Sequence, residues 1–168
     1  MYRSVVFAAL SLLLLSACAR DAQPQAQPPE TVADVAVTLD FQAVAGLNPG
    51  ATGQPAPVRV RIFELKNSAA FLRADYFSLA DRAPATLGVD LLDQDEVLVQ
   101  PGERRVVMRR LAPATRHVGL VVGYREIDRA QWRAVLDVPA RGVSEYRINL
   151  DARAMRADVV MPQPAPAQ

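Results

Sequence analysis

The chain has 168 residues, 51% of them hydrophobic, with 19 Lys and Arg against 18 Asp and Glu, and Arg3 is the only cation ahead of Cys18. A net charge of +1 and a single histidine exclude a basic nucleic-acid-binding field and leave little material for catalysis. One cysteine excludes an internal disulfide.

In chain order the first element is an export segment. Arg3 supplies a positive start, Val5 to Leu15 an apolar run, and Ser16-Ala17 the small residues before a cut. A bilayer span takes about 20 apolar residues, and the sequence after this run is polar and proline-rich, so the run addresses the chain without spanning. It ends at Cys18, and Leu15-Ser16-Ala17-Cys18 resembles the lipobox of bacterial lipoproteins at all four positions. That resemblance implies diacylglycerol on the Cys18 thiol, cleavage before it and acylation of the new amine. One acyl chain holds a protein to a bilayer only marginally, and two or more hold it durably. Ala19, where an aspartate would favour the inner membrane, implies the outer membrane by the same resemblance. The expected organisation is a signal peptide over 1–17, a lipidated flexible tether over 18–33, one domain over 34–161 and a disordered tail over 162–168. Both flanks alternate Ala, Gln and Pro without apolar periodicity, and such segments bury too little surface to offset their ordering entropy.

Strands dominate the domain. In DVAVTLDFQ, Val35, Val37, Leu39 and Phe41 alternate with Ala36, Thr38, Asp40 and Gln42, the two-residue period of a half-buried strand. VRVRIFEL repeats it, followed by DEVLVQ, RRVVMRRL, HVGLVVGYRE, WRAVLDV, EYRINL and a short DVVM. Pro101 and Gly102 suit the two central positions of a type II turn joining neighbouring strands. Seven or eight short strands without crossover-length helices predict an all-β sandwich rather than a parallel sheet. The stretch NSAAFLRADYFSLAD predicts a short helical insertion, with Asn67 or Ser68 as cap and Leu72, Tyr76 and Leu79 on one face.

Sites for chemistry are scarce. His117 opens an apolar strand with no cysteine in the domain to join it, so neither a nucleophile pair nor a metal set is expected. Asp90, Asp93, Asp95 and Glu96 lack the glycine and ligand alternation of a calcium loop and read as a solvated acidic edge. Glu126 and Asp128 read as a polar connection. Arg104-Arg105 and Arg109-Arg110 suit an edge strand, where charge blunts aggregation. The unusual element is the connection from Ala43 to Pro57, which is long for a strand link. Gly46, Gly50 and Gly53 permit bends, Pro49, Pro55 and Pro57 stiffen the path, and Leu47 reads as an exposed apolar residue at its centre. A stiff loop displaying an apolar tip loses little entropy on docking, which suits protein binding.

The run LNPGATGQPAPVRVRIFELKNSAAFLRADYFSL, then LGVDLLDQDEVLVQPGE and HVGLVVGYREIDRAQWRAV, together with the lipobox, resembles the outer-membrane lipoprotein of the type VI secretion membrane complex, the TssJ family. The likeness is dense from Leu47 to about Val138. It implies a transthyretin-like two-sheet β-sandwich tethered in the outer membrane and facing the periplasm. It further implies recruitment of the periplasmic C-terminal domain of the inner-membrane component TssM, with no enzymatic activity, no metal and no cofactor beyond the covalent lipid at Cys18. The partner-binding positions it implies are Leu47, Asn48 and Pro49, with Gly53 and Pro55 shaping the same loop. The alternative is an outer-membrane lipoprotein that binds a small ligand or inhibits a cell-wall enzyme, which would need an apolar pocket or deep cleft rather than a protruding loop.

Overall fold

The computed structural model describes residues 35–140 and 142–160. The expected signal peptide, Cys18, the tether and the tail over 162–168 lie outside the described residues. Eight strands follow one another in two four-stranded sheets. They are β1 (Val35–Ala43), β2 (Val58–Leu65), β3 (Leu91–Val99), β4 (Arg104–Arg110), β5 (His117–Val122), β6 (Arg133–Asp137), β7 (Gly142–Leu150) and β8 (Met155–Val159). The first sheet runs β4-β1-β7-β8 and the second β3-β2-β5-β6. All pairs are antiparallel except β1 with β7, which run parallel.

The alternation read in the sequence sets the two faces. Val37, Leu39 and Phe41 of β1 and Tyr146, Ile148 and Leu150 of β7 point inward to meet Val58, Val60 and Ile62 of β2 and Val118, Leu120 and Val122 of β5. Full burial of side chains this size contributes roughly 1.5–3 kcal/mol each, so this layer dominates the folding free energy. The two final strands differ from expectation in extent. β7 begins at Gly142, earlier than EYRINL, and β8 begins at Met155, earlier than DVVM.

The turn at Pro101-Gly102 has the expected chemistry: Gly102 takes φ 74°, and the Glu103 N–H donates to the Gln100 carbonyl at 3.1 Å. Yet the strands it joins enter opposite sheets, β3 at one edge and β4 at the other. Charge closes the gap between those edges. The Arg109 guanidinium of β4 reaches Asp93 of β3 at 2.9 Å and Glu64 of β2 at 3.3 Å, and also pairs with Asp95. Buried Glu64 in turn accepts from the Ala112 N–H and the Thr115 hydroxyl, both at 3.0 Å, which pins the segment crossing from β4 to β5. The acidic run and the arginine strand are thus edges that clamp each other as well as shielding themselves.

The helical insertion splits in two, α1 (Ala69–Arg73) and α2 (Tyr76–Leu87). Ala74 is extended, and Asp75 restarts the helix by accepting from the Ser78 N–H at 2.9 Å. That break shifts the phase of the apolar stripe. Tyr76 and Leu79 pack inward as expected, but Leu72 is half exposed and Phe71 is buried in its place. α2 bends where Arg82 leaves helical geometry, two residues before Pro84, whose ring and missing N–H disrupt the helix behind it. The pair packs on the outer face of the second sheet through Phe71, Leu79, Ala83 and Leu87 against Phe63, Leu65 and Val121. Arg133 of β6 donates to the carbonyls of Phe71 (3.0 Å) and Ala74 (2.8 Å), satisfying the end of α1.

Gly119 of β5 lies directly beneath the Phe71 ring, and a Cβ there would fall 2.8 Å from two ring carbons. Phe71 is fully buried, so making way for that Cβ means displacing a packed ring. Gly119→Ala is therefore expected to lower stability by about 1–3 kcal/mol, the usual cost of overpacking, although alanine is otherwise the better strand residue. Urea unfolding of Gly119→Ala with and without Phe71→Leu checks this: the second change should recover part of the loss, and additive effects would contradict the contact.

Candidate functional site

The strand directions gather four connections at one pole of the sandwich: 44–57, 100–103, 123–132 and 151–154. The longest of them, between β1 and β2, is built from its base outward. The Val44 N–H donates to the Leu150 carbonyl at 3.0 Å and the Asn48 N–H to the Ala152 carbonyl at 3.0 Å, tying the connection to the β7–β8 turn. The Val44 carbonyl accepts from the Gly102 N–H at 3.1 Å, tying it to the β3–β4 turn as well.

Asn48 is the fixed point. It is 4% exposed and holds φ 49°, the left-handed region that asparagine tolerates better than other side chains except glycine. Its Nδ2 donates to the Pro57 carbonyl at 3.0 Å, and its Oδ1 accepts from the Arg125 N–H at 2.8 Å. One side chain thereby joins both ends of its own loop to the β5–β6 connection. The adjacent Leu47 is 0% exposed and belongs to the intersheet core, and its carbonyl accepts from the Ala56 N–H at 3.0 Å.

These contacts correct one sequence expectation. Leu47 is not an apolar tip offered to a partner, because the sandwich core claims it, and the amide of Asn48 is committed to its own fold. Pro49 and Gly50 are partly buried, and Ala51 to Pro55 form the exposed tip. That tip is itself hydrogen-bonded: the Gly53 N–H donates to Gly50 at 2.9 Å, and the Gly50 N–H to Gln54 at 3.1 Å. Gly53 takes φ 77° with open space around it, a conformation that strains other side chains. The five residues singled out in the sequence, Leu47, Asn48, Pro49, Gly53 and Pro55, therefore divide into a buried base and a displayed end.

Sequence reasoning missed the neighbour. The β5–β6 connection flanks the loop, and the Arg125 guanidinium lies so near Gly50 that a Cβ there would meet its Nη1 at 2.6 Å. Glu126 pairs with Arg153 at 3.0 Å. Its charges read as an ordinary polar link, and nothing in the local sequence signals that Arg125 offers its backbone to a side chain 77 residues earlier. Tyr124 in the same connection is buried, donates to the Asp151 carbonyl at 3.3 Å, and has its phenol pKa pushed up by that burial.

The arrangement suits a protein surface better than chemistry. Depressions of about 180 Å³ beside Arg125 to Arg129, 230 Å³ beside Arg61 and Asp95, and 300 Å³ beside Gln42 and Asn149 are open, and their linings mix charged and polar groups with apolar ones. Ligand sites are usually larger, enclosed and apolar. His117 is in a cross-strand pair, its Nδ1 2.9 Å from Asp137 Oδ1. Among the described residues no group of three His, Cys, Asp or Glu is placed to hold a metal ion, and no helix is long and apolar enough to cross a membrane.

Known proteins share this architecture. The model of a family described as type VI secretion lipoprotein, VasD, EvfM, TssJ, matches residues 35–153. The chain is similar to the type VI secretion lipoprotein TssJ1 from Pseudomonas aeruginosa, at 48% identity and TM-score 0.73, over 79% of this chain and 99% of that one. It is similar at 28% identity and TM-score 0.66 to a chain of a type VI membrane complex, over 77% and 99%. It is also similar at 27% identity and TM-score 0.64 to a chain from the structure of the type VI secretion protein TssM C-terminal domain from EAEC, over 75% and 99%. No curated protein matches the chain.

Asn48→Ala and Asn48→Gly separate the two tasks of that residue. Alanine loses both side-chain hydrogen bonds and keeps the backbone strain, whereas glycine loses the bonds and relieves the strain. The alanine variant is expected to lose about 2–3 kcal/mol and the glycine variant about 1 kcal/mol less than that. Chemical unfolding measures both, and equal losses would show that backbone geometry contributes nothing.

Proposed function

The chain belongs to the type VI secretion lipoprotein (TssJ) family, and on that premise we propose that it is a lipid-anchored, periplasm-facing subunit of the outer membrane that recruits the periplasmic C-terminal domain of the inner-membrane component TssM. As a member of that family it is a structural component of the secretion apparatus and not an enzyme. In this reading residues 1–17 are removed on export, Cys18 carries the lipid, 18–33 link it to the domain over 34–161, and 162–168 trail behind.

The observation that carries the proposal is the construction of the β1–β2 connection. Leu47 and Asn48 anchor it from within, Pro49 starts its outward path, and Gly53 and Pro55 shape an exposed end already fixed by hydrogen bonds. A partner meeting such a loop orders little on binding, so more of the contact energy appears as affinity. Direction agrees with this. β1 runs from Val35, where the residues after Cys18 join the domain, to Ala43 at the loop pole, a span of about 26 Å. A chain hooked to a membrane through Cys18 thus carries its loop at the end of β1 remote from the tether's point of entry. The likeness to a chain from the TssM C-terminal domain structure supports TssM as the partner, and the likeness to a membrane-complex chain supports a multi-subunit setting.

Replacing residues 51–55 with a Gly-Ser segment is expected to abolish co-purification with the TssM C-terminal domain while leaving the unfolding midpoint unchanged. Undiminished capture would reject the loop as the docking element. The tip is the right target because exchanging Leu47 and Asn48 would also remove core contacts.

Cys18→Ser is expected to move the protein from the membrane pellet to the soluble periplasmic fraction, with loss of the acyl mass. A serine variant that still sediments with the outer membrane would reject the anchor.

A further inference from the structure

α1 and α2 cover the outer face of the second sheet, but nothing among the described residues covers the outer face of the first. Strand register sets out that open face in rows. Nearest to Val35 lie Arg110, Ala36 and Val143; next come Met108, Thr38 and Glu145; then Val106, Asp40 and Arg147, with Asp158 beside Arg147. Met108 is 80% exposed, Val143 71% and Val106 53%, so an apolar band joins β4 to β7 across the partly buried Ala36 of β1.

The charges around the band are asymmetric. Asp40 is 2% exposed beneath the Arg104 guanidinium, which grips it at 2.9 and 3.0 Å, and Arg104 chiefly holds its carboxyl below the usual carboxylate range. Asp158 accepts from Asn149 at 3.2 Å, and Glu145 remains the face's exposed acid without such a contact. Arg110, Arg147 and Arg156 form no ion pair among the described residues, and all three are exposed on this face. Exposed apolar side chains interspersed with arginines match a phospholipid surface: the apolar groups enter the headgroup boundary, arginine stems lie along it, and guanidinium heads reach phosphate.

We propose that the open face of the first sheet, centred on Met108 and Val143, rests against an anionic phospholipid bilayer. The proposal builds on the reading that Cys18 is acylated. Residues 18–34 join the domain at Val35, in the row of Arg110 and Val143, and a chain of that length spans at most about 60 Å. A lipid at Cys18 would hold this face beside the membrane at high effective concentration, so contacts too weak to recruit a free protein suffice to orient a tethered one. With the sheet lying on the bilayer, α1 and α2 face the aqueous side and the loop pole points sideways along the membrane.

The test uses the acylated full-length protein in vesicles of phosphatidylethanolamine and phosphatidylglycerol. Met108→Cys, Val143→Cys and, on the opposite side, Phe77→Cys each carry an environment-sensitive fluorophore, Cys18 being blocked by its lipid. Quenchers in the acyl region are expected to dim the labels at 108 and 143 at least twofold more than the label at 77. The difference should shrink in phosphatidylcholine vesicles and in the Arg110→Ser, Arg147→Ser background. Equal quenching at all three positions overturns the proposal. So does shielding of position 108 that grows with protein concentration in detergent without vesicles, which would assign the face to a second copy of the chain. Unlabelled protein that neither carries acyl mass nor floats with vesicles removes the anchoring reading and this proposal with it. Flotation with equal labels removes only the proposal.

Discussion

Two sheets sharing one dry layer is the constraint from which the rest of the molecule follows. β1 and β7 must present Leu39, Phe41 and Ile148 to the same space that Ile62 and Leu120 enter from β2 and β5, so the strands are held with their ends in register. That registration brings four sequence-distant connections to one pole. The loop between β1 and β2 inherits its position from this core, since Leu47 is a member of it. A protruding loop anchored by a core residue is part of the folded unit rather than an appendage, and Asn48 extends that anchoring to both neighbouring connections.

Polar groups complete what the apolar layer cannot. Its open edge between β3 and β4 is bridged by Arg109 and the carboxylates of Glu64, Asp93 and Asp95, at the place where consecutive strands part into different sheets. Removing one member of such a cluster leaves buried charge unmatched, so the cluster fixes geometry more than it adds stability. At the far pole the Tyr146 hydroxyl donates to the Asp137 carbonyl, linking β7 to the end of β6 across the sheets. Asp93 and Asp95 of the acidic run and Arg109 of the basic strand, which looked in sequence like parts of separate runs, thus meet in one cluster.

Sequence reasoning read the strands well because a half-buried strand writes its face into every second residue, and Val35 to Phe41 do so without interruption. It misread the helix phase because Ala74 and Asp75 end one helix and begin another, and a single period cannot span such a break. It placed Leu47 in solvent for a related reason. A lone leucine among glycine and proline looks displayed, and its burial depends on an intersheet core assembled from strands distant in the chain. The turn at Pro101-Gly102 was legible as a turn, whereas the sheets that its strands enter are set by partners that the local sequence does not name. The lipobox together with the runs from Leu47 to Leu79, Leu87 to Glu103 and His117 to Val135 carried the family resemblance, and the uncovered face of the first sheet emerged only once strand register put Met108, Val106 and Val143 together.

The parallel pairing of β1 with β7 carries a lesson about assembly. Val35 sits beside Gly142 and Ala43 beside Leu150, so the central seam of the first sheet joins the beginning of the domain to nearly its end. A polypeptide made from its amino terminus presents β1 long before β7 emerges. Until then β1 has an unfilled hydrogen-bonding edge, and closing so long a chain segment makes nucleation slow. Completion of the sheet therefore waits for the last strands to arrive, so the two ends of the domain become structured together.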